Sequence, residues 1–306
     1  MYDTLGLYIE NRNSLNCLSL LSNQTETVIT ETGEVINRGN LKNLRIKVRG
    51  EALSIQGSLP KFYLGNNLQL LTRKDTQLAI EELSDELYLP IKESRVFRFD
   101  IGATFMMNES LQSYYSCLGN HPRLKRSEIA NNKSLLYKSC NKSLLFYDKG
   151  KELKRTGYKI QEPYNRKLLL RYEMQFTKKI PYSFKIQELK AENLFNENFY
   201  INAINKWHSY YNAIHKNKRL KFNSEVIKML NVKTLRKHLE LIGLKSIGED
   251  EFLQMLENSR DKFSRLQLSR LKRNIKELSH QPELTEDNES IKELDSKVLR
   301  MAKYYR

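Results

Sequence analysis

The sequence predicts an α+β fold, with strands and helices mixed up to about residue 185 and helices alone after it. Three observations carry this. Leu44, Ile46 and Val48 alternate with Arg45, Lys47 and Arg49, the period-2 pattern of a half-buried strand. Helical stripes such as Leu78, Leu83 and Leu87 fall between such strands. From about residue 187 apolar residues recur only at helical spacing, as in Ile204, Trp207, Tyr211 and Ile214. A length of 306 residues suits one large or two modest domains, and the change of pattern divides it into 1–185 and 186–306.

Taken in order, residues 1–60 read as strands, with Gly50 marking a turn into a short strand over Leu53 to Gln56. The stretch from Lys74 to Pro90 reads as a helix with Asp75 as N-cap and Pro90 beyond its end. Ser94 to Phe105 is a strand with Phe97, Phe99 and Ile101 on its core face. A second helix runs from an Asn108 cap to a Gly119 stop. Ser134 to Asp148 reads as two short strands around a Cys140–Lys142 turn, and Lys167 to Lys179 as another strand before Pro181. Asp250 to Leu278 reads as one long charged helix, followed by an acidic linker and a last helix from Ile291.

The chain carries 52 Lys plus Arg against 36 Asp plus Glu, a net charge of +16 with a pI near 9.5. The excess is local. Residues 1–100 hold 12 basic and 13 acidic groups, residues 101–250 hold 28 and 13, and residues 251–306 hold 12 and 10. A single basic stretch points to a binding surface for a polyanion such as nucleic acid. Nothing in that stretch reads as an anchoring amphipathic helix, so a membrane surface is not the expected partner. No apolar run approaches a membrane span, and Asp3 and Glu10 interrupt the N-terminus, so no secretory leader is expected. Cys17, Cys117 and Cys140 are odd in number, far apart and without a C-x-x-C, which argues against a disulfide scaffold or zinc knuckle and for a reducing cytoplasm. No phosphate-binding G-x-x-x-x-G-K-[ST] loop occurs.

Two strands repeat one arrangement. Arg98 and Asp100 share a face opposite Phe99 and Ile101, and Arg171 and Glu173 share a face opposite Leu170, Tyr172 and Met174. If the strands are neighbours, the carboxylates could converge on a hard cation, Mg²⁺ or Mn²⁺, with the arginines holding them ionised and contacting phosphate. Tyr147 and Lys149 share a face if their strand persists that far, and a tyrosine beside a lysine and a metal could attack a phosphodiester. Surface salt bridges and a packing tyrosine are the plain alternative, since the chain has 17 tyrosines. For phosphate contacts the candidates are Arg123, Lys125 and Arg126 in a loop, Lys133, Lys138 and Lys142 near the hairpin, and Lys61 in a loop started by Pro60. Tyr114, Tyr115 and Tyr137 interleave with these and could stack unpaired bases, or could be core. Asn223 to Gly243 could be a helix-turn-helix with Lys233, Arg236 and Lys237 on its second helix, or an ordinary helical hairpin.

The ordered segments SLPKFYLGNN, FRFDIGATF, SLLFYDKGKELK and LLLRYEMQF, with the opening YDTLGLYIE, resemble the gene II/X replication initiators of filamentous phages and related plasmids over about residues 1–180. The resemblance implies an antiparallel-sheet, HUH-like nicking domain over 1–185 that starts rolling-circle replication, with the helical region 186–306 contacting DNA, a helicase or another copy. It implies Tyr147 as nucleophile with Lys149 beside it, Asp100 and Glu173 as metal ligands, and Arg98 and Arg171 as their supports. The implied reaction is strand-specific nicking and rejoining of single-stranded or cruciform origin DNA through a 5′-phosphotyrosine, in a bacterial host's cytoplasm, with host helicase and polymerase following. The sequence departs from the family where Gly-His-Asn becomes Gly65-Asn66-Asn67, leaving Asn66 as an amide contact at a histidine position, and no His-hydrophobic-His pair occurs. A non-catalytic origin-binding protein on a degenerate nickase domain is therefore one alternative, and a relaxase or transposase of a mobile element another.

Overall fold

The computed structural model describes residues 1–129, 134–220, 231–281, 285–286 and 288–306. Its fold is α+β: ten antiparallel strands form one sheet, and the C-terminal part is helical apart from a short antiparallel pairing of Arg219–Leu220 with Thr285–Glu286. The strands are β1 (Tyr2–Glu10), β2 (Ser22–Val28), β3 (Val35–Leu41), β4 (Leu44–Arg49), β5 (Ala52–Ser58), β6 (Arg95–Met107), β7 (Lys125–Ile129), β8 (Ser134–Lys138), β9 (Lys142–Asp148) and β10 (Leu168–Phe176). Their order is β2-β3-β4-β5-β1-β6-β10-β9-β8-β7. The two strands read as carrying paired charges, β6 and β10, are direct neighbours.

One face of the sheet is apolar because alternate residues of its central strands are, while the edge strands β2 and β7 bury none. Phe99, Phe146, Tyr172, Met174 and Phe176 are buried there. The helix Glu197–Asn212 packs on this face, with Tyr172 stacked between Phe146 at 4.6 Å and Trp207 at 4.9 Å. The Tyr172 hydroxyl donates to the Trp207 carbonyl at 3.0 Å, so this buried donor is satisfied.

Several local expectations change. The helix near residue 75 is Arg73–Leu87. Its N-cap is Thr72, whose side chain accepts from the Asp75 backbone while Asp75 accepts in return, a reciprocal capping box. Leu78 is exposed, because Thr76, Ala79, Ile80, Leu83 and Leu87 form the buried stripe. Lys61 lies in a short helix, Leu59–Leu64, capped by Ser58, rather than in a loop. Phe97 leaves the core face: Leu7 pairs with Val96 and Gly6 with Arg98, so Phe97 is an unpaired bulge residue and its ring lies over Gly6. The strand of Tyr147 ends at Asp148, which caps a helix, Lys149–Arg155. The stretch expected as one long helix is two, Glu249–Asn258 and Arg265–Ser279, because Ser264 and Gln267 form a capping box that starts the second.

Two compact units divide the chain. The first gathers Met1–Leu111, His121–Ala213 and Lys297–Arg306, so the sheet-bearing unit extends past residue 185 and includes the Trp207 helix. The second gathers Gln112–Asn120 and Ile214–Ser296. Its core joins Leu241 and Leu244, of the helix Val232–Ile247, to Ile275, with Phe252, Leu253 and Leu256 against them. That helix carries Lys233, Arg236 and Lys237, while the first half of the expected helix-turn-helix lies outside the described residues, as does Lys133. Tyr114 and Tyr115 are buried in the second unit and Tyr137 in the first, so none of the three offers an open ring face to a base. No helix among the described residues is long and apolar enough to cross a membrane.

Candidate active site

Strand registry assembles the site on the sheet face opposite the Trp207 helix. Ser134, Tyr147, Arg171 and Thr104 form one row across β8, β9, β10 and β6. Leu145, Glu173 and Gly102 form the next, and Lys138, Ser143, Gln175 and Asp100 the third. Paired residues of neighbouring strands project to one side, so Tyr147, Arg171, Glu173 and Asp100 share a face.

Arg171 is the hub. It is fully buried, and its Nε donates to Glu173 Oε1 at 2.9 Å while its Nη2 meets Asp3 Oδ2 at 2.5 Å. Its Nη1 donates to Thr104 Oγ1 at 3.0 Å and to the Asn67 carbonyl at 3.2 Å. Burial works against this cation, but Asp3 and Glu173 outweigh it and its pKa rises. Asp3 reaches the site because β1 bulges between Tyr2 and Leu5, and it also accepts from Ser58 Oγ at 2.6 Å. Gly102 makes the room: a Cβ there would stand 2.7 Å from Glu173 Cγ and 3.2 Å from Arg171 Nε.

Tyr147 donates its hydroxyl to Glu173 Oε1 at 2.9 Å. Burial, then the Glu173 charge, raises its pKa, so the phenol keeps its proton, which lies on the hydrogen bond to Glu173. A cavity of about 460 Å³ opens beside it, lined by Tyr147, Glu173, Lys151, Glu152 and Arg155. Lys149 starts the next helix and is buried, with Nζ 2.5 Å from Glu152 Oε2 and 5.9 Å from the Tyr147 ring centre. Burial, then Arg171, lowers its pKa. Arg98 holds Asp100 through both nitrogens of a fork, Nε at 3.1 Å and Nη2 at 2.7 Å. Burial nonetheless pushes the Asp100 carboxyl up to about 7; Arg98 opposes the rise, while Glu173 and Asp3 add to it.

The donor chemistry suits a hard divalent cation, since Asp3, Asp100 and Glu173 are carboxylates on one face. Arg98 and Arg171 hold these oxygens, however, and no group of three or more His, Cys, Asp or Glu residues is drawn together as a metal site among the described residues.

The expected phosphate contacts divide between the faces. Lys125 continues the row of Lys138 and Asp100, on the site face. Arg126 pairs in register with the buried Tyr137, on the other face, and its Nη2 donates to Glu128 at 2.8 Å. Lys142 pairs with Phe176, also on the other face, and donates to the Tyr210 hydroxyl at 3.0 Å. Arg123 is exposed outside the strands, and Lys61 is half-buried within its helix. Asn66 is spent on its own turn, accepting from Leu68 and Gln69 backbone groups at 3.1 and 3.2 Å. Its neighbour Asn67 reaches the site instead, donating to Asp3 at 3.4 Å. Asp3, Asn67, Thr104 and Gly102 were not named as site residues from the sequence, although all four lie inside segments singled out there, YDTLGLYIE, SLPKFYLGNN and FRFDIGATF. Arg45, Lys47 and Arg38 were missed too. The row Arg98–Gly6–Gln56–Arg45 puts Arg45 on the site face, and the row Arg95–Tyr8–Ser54–Lys47–Arg38 does so for three further cations.

A family model for the N-terminal part of a phage replication-associated protein, the gene II protein, matches residues 1–209. No curated protein matches the chain.

Proposed function

Because this chain belongs to the family of the N-terminal part of the replication-associated gene II protein, a phage replication-initiator family, we propose that it nicks one strand of origin DNA through Tyr147 and rejoins it in the reverse step. The observation that carries this is the Tyr147–Glu173 hydrogen bond of 2.9 Å at the mouth of a cavity. The phenolic oxygen attacks phosphorus, Glu173 takes the phenol proton, and the bond to the 3′ oxygen breaks. The products are a 5′-phosphotyrosine and a strand end that takes a proton to become a 3′-hydroxyl. Lys149, whose lowered pKa favours giving up a proton, would supply it. Arg171 orients Glu173 and is itself too buried to touch DNA. Lys151 and Arg155, exposed at the cavity, meet the phosphate.

Asp100 and Glu173 would hold Mg²⁺ or Mn²⁺, which when bound supplies charge neutralisation at the phosphate. The free 3′-hydroxyl suits a host polymerase working behind a helicase in the bacterial cytoplasm. Tyr147→Phe is expected to abolish covalent capture of a labelled origin strand while leaving its affinity within about twofold. An adduct formed by the variant would overturn the assignment. Chelation is expected to stop capture in the wild type, and capture that continues in a chelator would show that Lys151 and Arg155 neutralise the phosphate without a metal. A protein that binds the origin and cuts it under no divalent ion would be a binding protein on a degenerate nickase domain.

A further inference from the structure

Strand β6 continues past the site. Thr104 accepts from Arg171, and the next residues, Phe105, Met106 and Met107, floor a separate cavity of about 640 Å³. The last helix, Glu289–Tyr304, and the residue after it supply the opposite wall through Arg300, Met301, Tyr304 and Tyr305. Lys167, just before β10, and Lys297 complete it. The cutting step uses none of these groups except Thr104.

The lining selects a planar anion. It contains three cations and no Asp or Glu. Lys167 and Arg300 are exposed, while Lys297 donates to the Met106 carbonyl. Tyr304 is 76% exposed and Met106 41%, which leaves ring and thioether surface uncovered beside positive charge. Burial, and then Tyr304, pushes the Tyr305 hydroxyl up to about 12, so it stays neutral and repels no phosphate. The same two tyrosines also line a second cavity, of about 320 Å³, with Arg73, Lys74 and Arg306, and with Glu197 paired to Arg73 at 3.5 Å. Aromatic rings interleaved with cations hold single strands by stacking bases and tracking phosphates. Bases inside a duplex have no face free for such stacking.

We propose that this cavity takes an unpaired nucleotide of single-stranded DNA, its base against Tyr304 and Tyr305 and its phosphate against Lys167 and Arg300. Its place beside the cut, one residue from the Arg171 network, rests on the reading of Tyr147 as nucleophile; the binding of single-stranded DNA does not.

The test is the affinity of the full chain for a short fluorescein-labelled oligothymidylate across a salt series. Tyr304→Ala is expected to weaken binding about fivefold or more, with Tyr304→Phe restoring it. Arg300→Ala is expected to lower the slope of log K against log salt by about 0.7. Tyr182→Ala, at a tyrosine 83% exposed and outside the cavity, is expected to change neither. Wild-type affinity in both Tyr304→Ala and Arg300→Ala overturns the proposal, as does an equal loss in Tyr182→Ala. Lost oligothymidylate binding in the cavity variants, in a protein whose wild type forms no tyrosine adduct, would sink the nicking reading and leave this one standing.

Discussion

Arg171 has no exposed surface, and four groups from four separate parts of the chain converge on it. A guanidinium suits this role because its fork directs five donors in fixed directions and keeps its charge when buried. Removing it would leave Asp3 and Glu173 as unpaired buried carboxylates, so Arg171→Met is expected to cost about 3–5 kcal/mol in a denaturant titration. Gly102→Ala is subtler. Its methyl group would meet Glu173 Cγ and push the carboxylate off Tyr147. It is expected to lower the rate of adduct formation about tenfold or more, with a stability loss of about 1–3 kcal/mol. Asp100 gives a pH signature. Its folded pKa, about 7, lies above its unfolded value, so its contribution to stability is complete below about pH 4 and is lost as pH rises to 7. Asp100→Asn in metal-free protein is expected to flatten that decline, which amounts to at most about 1.4 kcal/mol per pH unit. Asp3 works in the opposite sense at lower pH, since Arg171, Ser58 and Asn67 outweigh its burial and depress its pKa. Strand alternation put Arg98 with Asp100 and Arg171 with Glu173 in the sequence, and the family resemblance singled out Tyr147. Asp3 and Asn67 were not legible there, because a bulge and a turn bring them in, and neither leaves a periodic trace.

At the scale of elements, pairing order does what net charge hid. Residues 1–100 are almost neutral in sum, yet the register of β3, β4, β5, β1 and β6 sorts Arg38, Lys47, Arg45 and Arg95 onto the face that carries Tyr147. The basic stretch past residue 100 is divided by the same rule, with Lys125 on that face and Arg126 and Lys142 on the other. A bound DNA is therefore expected to feel Arg45 and Lys47 more than Arg126. Arg45→Ala with Lys47→Ala is expected to reduce the salt slope of duplex-origin binding by about 1–2, while Arg126→Ala leaves it unchanged. The alternating strands were readable individually. Their neighbours were not, since a single sequence shows periodicity and not pairing.

Across the whole molecule, the single tryptophan sits in one of the two units. Trp207 is fully buried against Tyr172 beneath the sheet, while the helices around Leu241 and Ile275 hold their own core. Trp207 fluorescence is thus expected to follow the sheet-bearing unit, and far-ultraviolet circular dichroism both units. The two denaturation curves are expected to separate, and coincident curves would show one cooperative transition. The sequence pattern placed the division near residue 185, where strands stop. The sheet needs a cover for its apolar face, however, and the chain supplies it only with the next long helix.

The bulge at Phe97 bears on how this strand could change by losing a residue. Deleting one residue from a sheet normally reverses the facing of everything on one side of the gap. Here Val96 and Arg98 already pair with consecutive residues of β1, as though Phe97 were absent. A protein lacking Phe97 is therefore expected to fold with Arg95, Arg98 and Asp100 still facing the same way. Phe97 thus stands as an inserted residue, and its removal is expected to leave the ladder on either side in register.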